Sequence, residues 1–600
     1  MHSPRRRSLR TRPAFRHAAL LSAFVLLAAC SSISGSALRP VVGTATTPPT
    51  TTGSAAGQIT EPSVLPGGSG TATTSGAPVP TPAGTTSTGP VPTGAGAVPA
   101  GLQKFYGQTL AWGPCASYAT DAAATSLYGD PNIQCARLTV PLAYSNPTGQ
   151  TVSMGVLRKV ATDRSARIGS LVTDPGGPGS SGMEWLASYV VGDTAADAGA
   201  AQKTVAGLNQ KFDLVGIDPR GIGSSLPAVQ CQTDAEKDKT FATDTRSRNQ
   251  ADVDAANALT KQIVSECLAN TGKAQGIDSK TFFANIGTRD VAQDLDVLRA
   301  VLGDSKLSYL GFSYGTQIGW EYAEQFPKNV RAILFDGVEA PNVDPASSAL
   351  GQQKGFETAF QNFAAYCATS SPGCALGTDP SKALAIFQGL VRPLLDKPLA
   401  LAGGRTLTFA SAITGVTWGL YFTQFQTALA QGLLALKAGD GRILMQLADS
   451  YNGRDAQGHY SNEQEAFNAV RCVDGPRKTD PAEVTKFNAA VAAAGPFGAT
   501  GDPAGAIFDI CALWPVPPTT LPHTLHISGL PKTLVVSTTG DPATPYQDGV
   551  DLAQQINATL LTVKGVRHTS YLSNGLSCVD DIGNAYLESL TLPTAAPTCS

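Results

Sequence analysis

The sequence predicts an α/β fold: a mainly parallel sheet with helices on both faces and a helical insertion before the last strands. Three observations predict it. From about residue 101, short β-rich runs alternate with helical patterns, as βα units do. Between about 345 and 510, strand signals nearly vanish and Ala/Leu-rich helical patterns take over. A serine between glycines, Gly311-Phe312-Ser313-Tyr314-Gly315, sits where a strand hands over to a helix.

The strand-like runs are Arg137–Val140, Val152–Val160, Ser170–Thr173, Asp213–Ile217, Leu307–Gly311, Val330–Phe335, Thr533–Ser537 and Thr559–Val563. Among the helical patterns, the stretch from Asp290 to Leu302 places Leu295, Leu298 and Val301 on one face and its acids on the other. Thr316 to Phe326 reads as a second helix. Ala428–Leu436 and Glu463–Val470 represent the insertion. The expected organisation is a leader over 1–29, a tether over 30–100, a first core segment over 101–345, a helical lid over 346–510 and a C-terminal core segment over 511–600.

The leader carries Arg5, Arg6, Arg7, Arg10, Arg12 and Arg16 and no acid. A 12-residue apolar stretch, Ala18 to Ala29, follows it. That is too short to span a bilayer and suits a signal peptide. It ends in Leu27-Ala28-Ala29-Cys30, which resembles the lipobox of bacterial lipoproteins, where the cysteine is lipidated and becomes the first residue. The expectation is an exported protein anchored through Cys30 on the outer face of the cytoplasmic membrane. Release by cleavage in the tether, and the choice between the general and twin-arginine export routes, stay open. Residues 31–100 are Thr, Pro, Gly, Ser and Ala with two charges, Arg39 and Glu61, and too little to bury to order themselves.

Formal charge is −3, but without the six leader arginines it is −9, 37 basic against 46 acidic residues. Such a balance gives no electrostatic footprint for nucleic acid. Beyond Cys30 the cysteines are Cys115, Cys135, Cys231, Cys267, Cys367, Cys374, Cys472, Cys511, Cys578 and Cys599. An even number in an exported chain reads as disulfides. Nearest-neighbour pairing is one of the possible connectivities. No C-x-x-C occurs and only four histidines follow the leader, so no zinc site is expected.

The chemistry lies at strand ends. G-x-S-x-G between a strand and a helix lifts the serine above the sheet edge, with helix N–H groups aimed at the reaction centre. A nucleophilic Ser313 needs a base and an orienting acid, in the chain order Ser, acid, His. Asp541 follows the strand Thr533–Ser537, and His568 follows Thr559–Val563. Asp548 is the rival acid but falls inside the next helix. His523 and His526 flank apolar residues and read as structural. The loop Asp174-Pro175-Gly176-Gly177-Pro178-Gly179 follows an early strand and offers an oxyanion donor, Gly177 N–H with Gly176 as rival. Tyr314 N–H is the second donor. A P-loop is excluded, because there is no G-K-[ST]. No cofactor is expected.

Together these residues resemble the α/β-hydrolase fold, and more narrowly the tripeptidyl aminopeptidase-like branch of the proline iminopeptidase family of serine peptidases. The resemblance runs through Asp174-Pro175-Gly176-Gly177-Pro178-Gly179, Asp218-Pro219-Arg220-Gly221, Gly311-Phe312-Ser313-Tyr314-Gly315, Arg471-Cys472-Val473-Asp474, Asp541-Pro542-x-Thr544-Pro545 and Gly565-x-x-His568. Secreted actinobacterial members share this layout. Proline iminopeptidases usually have His-Gly-Gly-Pro-Gly and a Trp after the serine; here Pro175 and Tyr314 stand instead, as in the tripeptidyl branch. The resemblance implies Ser313 as nucleophile, His568 as base, Asp541 as orienting acid and a lid shaping the substrate site. The substrate is then a peptide or protein N-terminus, whose ammonium needs a carboxylate. Asp474 is the candidate, with Glu463 and Glu465 competing. Asp218 and Arg220 are expected to brace a loop as a pair. The alternative reading is a lidded esterase or lipase with the same triad; a third is a non-catalytic envelope binding protein.

Overall fold

The computed structural model describes residues 98–192, 198–371, 373–573 and 576–600. Cys30, the leader and most of the tether lie outside the described residues.

The sheet contains β1 (Gln134–Pro141), β2 (Thr151–Lys159), β3 (Gly169–Asp174), β4 (Phe212–Ile217), β5 (Leu307–Phe312), β6 (Val330–Asp336), β7 (Leu534–Thr538), β8 (Thr559–Val563) and a short β9 (Thr598–Cys599). Their spatial order is β1-β2-β4-β3-β5-β6-β7-β8-β9. β2 pairs antiparallel with β1 and β4, and every other pairing is parallel. β3, β4 and β5 are buried along their whole length. This follows from two covered faces, since successive side chains point to opposite sides. Val172, Val215, Tyr309, Ile333 and Val535 enter one apolar cluster, and their neighbours Leu171, Leu214, Leu310, Leu334 and Val536 enter the other.

One sequence expectation is corrected here. The helix Thr288–Val301 does not turn its acids to solvent. Asp294 and Asp296 are buried, because each meets an arginine. Arg220 Nε lies 2.6 Å from Asp294, and Arg299 Nε lies 2.8 Å from Asp296. Tyr106 and Tyr322 also donate to Asp296. The same contacts separate Asp218 from Arg220. Arg220 also donates to the carbonyls of Pro141, Leu142 and Asn285. Asp218 accepts from Ser181, Met183 and Ser224. Both residues brace loops, but not as a pair.

The insertion leaves the sheet after β6. Its first helix, Pro345–Ser370, starts with proline and is capped by Asp344, which accepts from Ala346 and Ser347 N–H. Further helices follow, with a small antiparallel pair, Leu399–Ala400 and Thr406–Leu407, that the sequence pattern does not reveal. The insertion has its own apolar cluster, including Phe356, Phe360, Phe363, Phe387, Val416, Leu429, Leu444 and Phe497. The chain returns to β7 largely without regular structure. The disulfides join Cys115–Cys135, Cys231–Cys267, Cys367–Cys374, Cys472–Cys511 and Cys578–Cys599. Cys472, Cys511 and Asp509 cluster as metal ligands would, but the two sulfurs are spent on each other. No helix among the described residues is long and apolar enough to cross a membrane.

Candidate active site

β5 ends at Phe312, and the next helix begins at Tyr314. Ser313 alone makes the turn, at φ 52° and ψ −127°. A side-chain-bearing residue pays strain for that conformation, and such strain is characteristic of functional sites. The surroundings hold it there. Ser313 N–H donates to Asp336 O at 2.9 Å, and Thr316 N–H donates to Ser313 O at 2.8 Å. Gly315 is glycine because a Cβ would stand 2.6 Å from Asp174 O.

The loop after β3 presses on this turn. A Cβ on Gly176 would lie 2.5 Å from Phe312 O and 2.8 Å from Tyr314 N, so only glycine fits. Gly176 N–H donates to Asp174 Oδ1 at 2.8 Å and is committed within its own loop. Gly177 N–H has no such partner among the described residues. Tyr314 N–H is at the first helical position, where backbone donors are left over.

His568 Nδ1 lies 2.9 Å and 3.0 Å from the two oxygens of Asp541. Asp541 is itself fixed by Ala543 N–H, Thr544 N–H and Thr544 Oγ1. Burial disfavours the imidazolium, but the charge and hydrogen bond of Asp541 outweigh it and hold His568 above its ordinary value. Nε2 is left for the cavity. Tyr421 stands edge-on to the imidazole with ring centres 5.6 Å apart. Tyr421 is the last residue of the insertion helix Phe409–Tyr421, and its carbonyl accepts His568 N–H at 3.0 Å. A leftover helical carbonyl of the insertion is thus satisfied by the histidine's backbone.

A cavity of about 490 Å³ brings these parts together. Gly177, Ser313, Tyr314 and His568 line it from the core, and Trp418, Tyr421, Phe422 and Phe467 from the insertion. The rival acid Asp548 also reaches it, from the helix Tyr546–Gln555, but the Nδ1 of His568 belongs to Asp541.

The three acids expected near the substrate amine separate. Asp474 lines the cavity, yet its carboxylate takes Thr288 N–H at 2.9 Å, Thr288 Oγ1 and the Tyr314 hydroxyl. Burial pushes it up to about 7. Glu463 lines the cavity and accepts from Ser180. Glu465 does not line it; its carboxylate pairs with Lys237 at 3.3 Å and accepts from Gln232 N–H. Glu465 points away because consecutive odd positions of a helix face different directions. Sequence reasoning missed Glu339, three residues past β6. Glu339 and Asp548 both line the cavity, and neither carboxyl has a hydrogen-bond donor among the described residues. Burial pushes each to about 7, and the Asp548 charge adds to the rise at Glu339. No motif marks Glu339; its position just past a strand's C-terminal end is the one signal it carries. His523 is structural as expected, between Glu324 and Leu521 O.

The family profile described as the alpha/beta hydrolase fold matches residues 171–575. The chain belongs to the α/β-hydrolase family. It is a serine hydrolase. It is 41% identical over 507 residues to serine protease Hip1 of Mycobacterium tuberculosis, covering 82% of this chain and 91% of the relative. It is 40% identical over 491 residues to carboxylesterase B of the same species, covering 82% and 89%. It is 30% identical over 464 residues to the tripeptidyl aminopeptidase of Streptomyces lividans, covering 76% and 81%. These α/β-hydrolase relatives agree with the resemblance carried by the sequence motifs.

Proposed function

We propose that the chain is an exported serine exopeptidase that releases short peptides, tripeptides foremost, from free N-termini. The observation that carries this reading is the pair of donor-less carboxyls, Glu339 and Asp548, in the wall of the cavity that Ser313 and His568 line. Burying a carboxylate without a partner is costly, and a substrate ammonium removes that cost. Relatives named serine protease and tripeptidyl aminopeptidase support the peptidase class.

In this reading Ser313 Oγ attacks the scissile carbonyl and passes its proton to His568 Nε2. Asp541 keeps the proton of Nδ1 in place and stabilises the imidazolium. Gly177 and Tyr314 N–H groups receive the oxyanion. The imidazolium protonates the leaving amine, and water then repeats the sequence on the acyl-enzyme.

The test compares a free-amine tripeptide p-nitroanilide with its N-acetylated twin. The free form should be favoured roughly 100-fold in kcat/KM, the scale of one or two charge-assisted hydrogen bonds. Glu339→Gln should remove most of that preference and spare the acetylated substrate. Because the pair ionises as pH rises through about 7, KM for the free amine should fall over that range. Equal cleavage of the twins would sink amine recognition.

A second reading, an envelope esterase, draws on the aromatic wall of Trp418, Tyr421 and Phe422 and on the relative named carboxylesterase B. Turnover of esters with neither peptide cleaved would put it first. Export and a lipid anchor on Cys30 complete the proposal. Mass spectrometry of membrane-extracted protein should find a diacylglyceryl Cys30 as the first residue; a different mature N-terminus removes the anchor.

A further inference from the structure

The last residue of β6 is Asp336, a carboxylate that the triad does not use. It is fully buried. Its Oδ2 accepts two backbone donors, Ser570 N–H at 2.7 Å and Tyr571 N–H at 2.6 Å. These lie two and three residues past His568. Its Oδ1 is buried with no hydrogen-bond partner. Its backbone carbonyl accepts Ser313 N–H. One residue therefore touches the nucleophile's backbone on one side and the histidine's loop on the other. The strand end and that loop are in tight contact: a Cβ on the adjoining Gly337 would come within 3.2 Å of His568 Cε1 and 3.0 Å of Thr569 Cγ2.

The loop needs such a hold. Thr569 and Leu572 both sit in the left-handed region, at φ 59° and 60°. β-branched and bulky residues do not stay there unless other contacts over-determine the chain. Two short bonds to one carboxylate oxygen, between those two residues, supply the contact. Loop geometry alone would be served by any acceptor, such as an amide or a water. A carboxylate with a second, bare oxygen is an expensive choice in a dry site. The charge has a use if it faces a developing cation, and the nearest one is the imidazolium of His568.

We infer that Asp336 is a second acid of the site, a positioning residue that aims the His568 loop and adds its charge to that of Asp541 in stabilising the imidazolium. It rests on the reading of Ser313 and His568 as nucleophile and base. The charged groups that face it are Asp541 from the loop after β7 and His568 and Arg567 from the loop after β8; Glu339, beyond its own strand end, acts on His568. Burial pushes Asp336 up to about 7, with Asp541 adding to the rise and His568 opposing it. A negative neighbour favours the protonated imidazole. Removing that charge lowers the pKa of His568, so the base stays free to lower pH.

The test uses the rate of covalent labelling by a fluorophosphonate, which requires no knowledge of the natural substrate. Labelling forms the Ser313 Oγ–phosphorus bond, expels fluoride and delivers the serine proton to His568. In Asp336→Asn the amide oxygen keeps both backbone bonds and the charge is lost. The plateau rate should fall about tenfold, and the acid limb of the pH–rate profile should move down by about half a pH unit or more. A purely structural role predicts a lower rate with an unmoved limb, and that result, or an unchanged rate, overturns the inference. Labelling that survives Ser313→Ala would instead sink the catalytic reading on which it rests. Should Asp336→Asn not fold, the wild-type enzyme decides. The low-field Nδ1 proton of His568 should titrate with two inflections, its own and that of a coupled acid near 7. A single inflection overturns the inference.

Discussion

The sheet supplies Ser313, Asp541 and His568 from beyond the ends of β5, β7 and β8; β5 and β7 are buried on both faces and β8 on one, through Leu561 and Val563. The insertion supplies Trp418 and Tyr421 from a helix over an apolar cluster of its own, Phe422 from just past that helix's end, and Phe467 from the helix Glu463–Arg471, which packs on the core's cluster. The two regions meet through many polar contacts, among them Lys237 with Glu465, Arg246 with Asp502, Arg454 with Asp238, and His568 N–H on Tyr421 O at the site itself. The difference is one of tolerance. Strand ends fix reacting atoms to fractions of an ångström through neighbouring strands, so change there is felt as lost chemistry. A helical layer with a separate core can be repacked and mainly reshapes what the cavity accepts. Relatives named a protease, an esterase and a peptidase on the same fold are consistent with that division.

The strongest way to break the comparison is Ser313→Ala. It should abolish fluorophosphonate labelling and lower hydrolysis by roughly 10⁴-fold or more, while leaving the unfolding midpoint nearly unchanged. Residual labelling at another residue would place the nucleophile elsewhere and end the claim that strand ends carry the chemistry.

The two regions also differed in how much the sequence disclosed. Most long strands were legible to within one residue, because buried β runs bounded by glycine, proline and aspartate read clearly; β1 starts three residues before the expected Arg137. The elbow and the pair Asp541 and His568 were legible for the same reason: their positions follow from strand ends and chain order. Glu339 and Asp336 were not. Asp336 ends β6 and Glu339 follows it; β6 carries no motif, and their meaning depends on packing against loops more than 200 residues away. The acids of the helix Thr288–Val301 were misplaced because helical periodicity cannot foresee that Arg220 arrives from another loop to pair with Asp294. In the insertion, periodicity disclosed helices but not which face of Glu463–Arg471 meets the cavity, so Glu463 and Glu465 could not be told apart.

A second prediction separates stability from chemistry within the core. Asp294→Ala leaves Arg220 buried and without its counter-ion. Breaking a buried pair from one side costs about 3–5 kcal/mol. Thermal or denaturant unfolding should show a loss of that order, with fluorophosphonate labelling of the folded fraction within a few-fold of wild type. A large loss of labelling at full stability would mean that the brace acts on the site and that core residues cannot be sorted in this way.

The smallest effect is expected at Glu465, and it sharpens the comparison from the insertion's side. Glu463 and Glu465 stand two residues apart at the start of one helix, about 200° apart around its axis. Glu463 meets the cavity and Ser180, whereas Glu465 meets Lys237 and Gln232 N–H under the insertion. Glu465→Gln keeps an acceptor for Gln232 and loses the charge opposite a mostly buried Lys237, so about 1–2 kcal/mol of stability should go. Cleavage of the free-amine tripeptide should stay within about twofold, because the altered charge is screened from the cavity by the helix itself. Glu463→Gln, by contrast, changes a cavity wall and should alter KM. Equal KM changes in the two variants would show that the insertion moves as a unit against the core, and that its helices cannot be assigned one role per face.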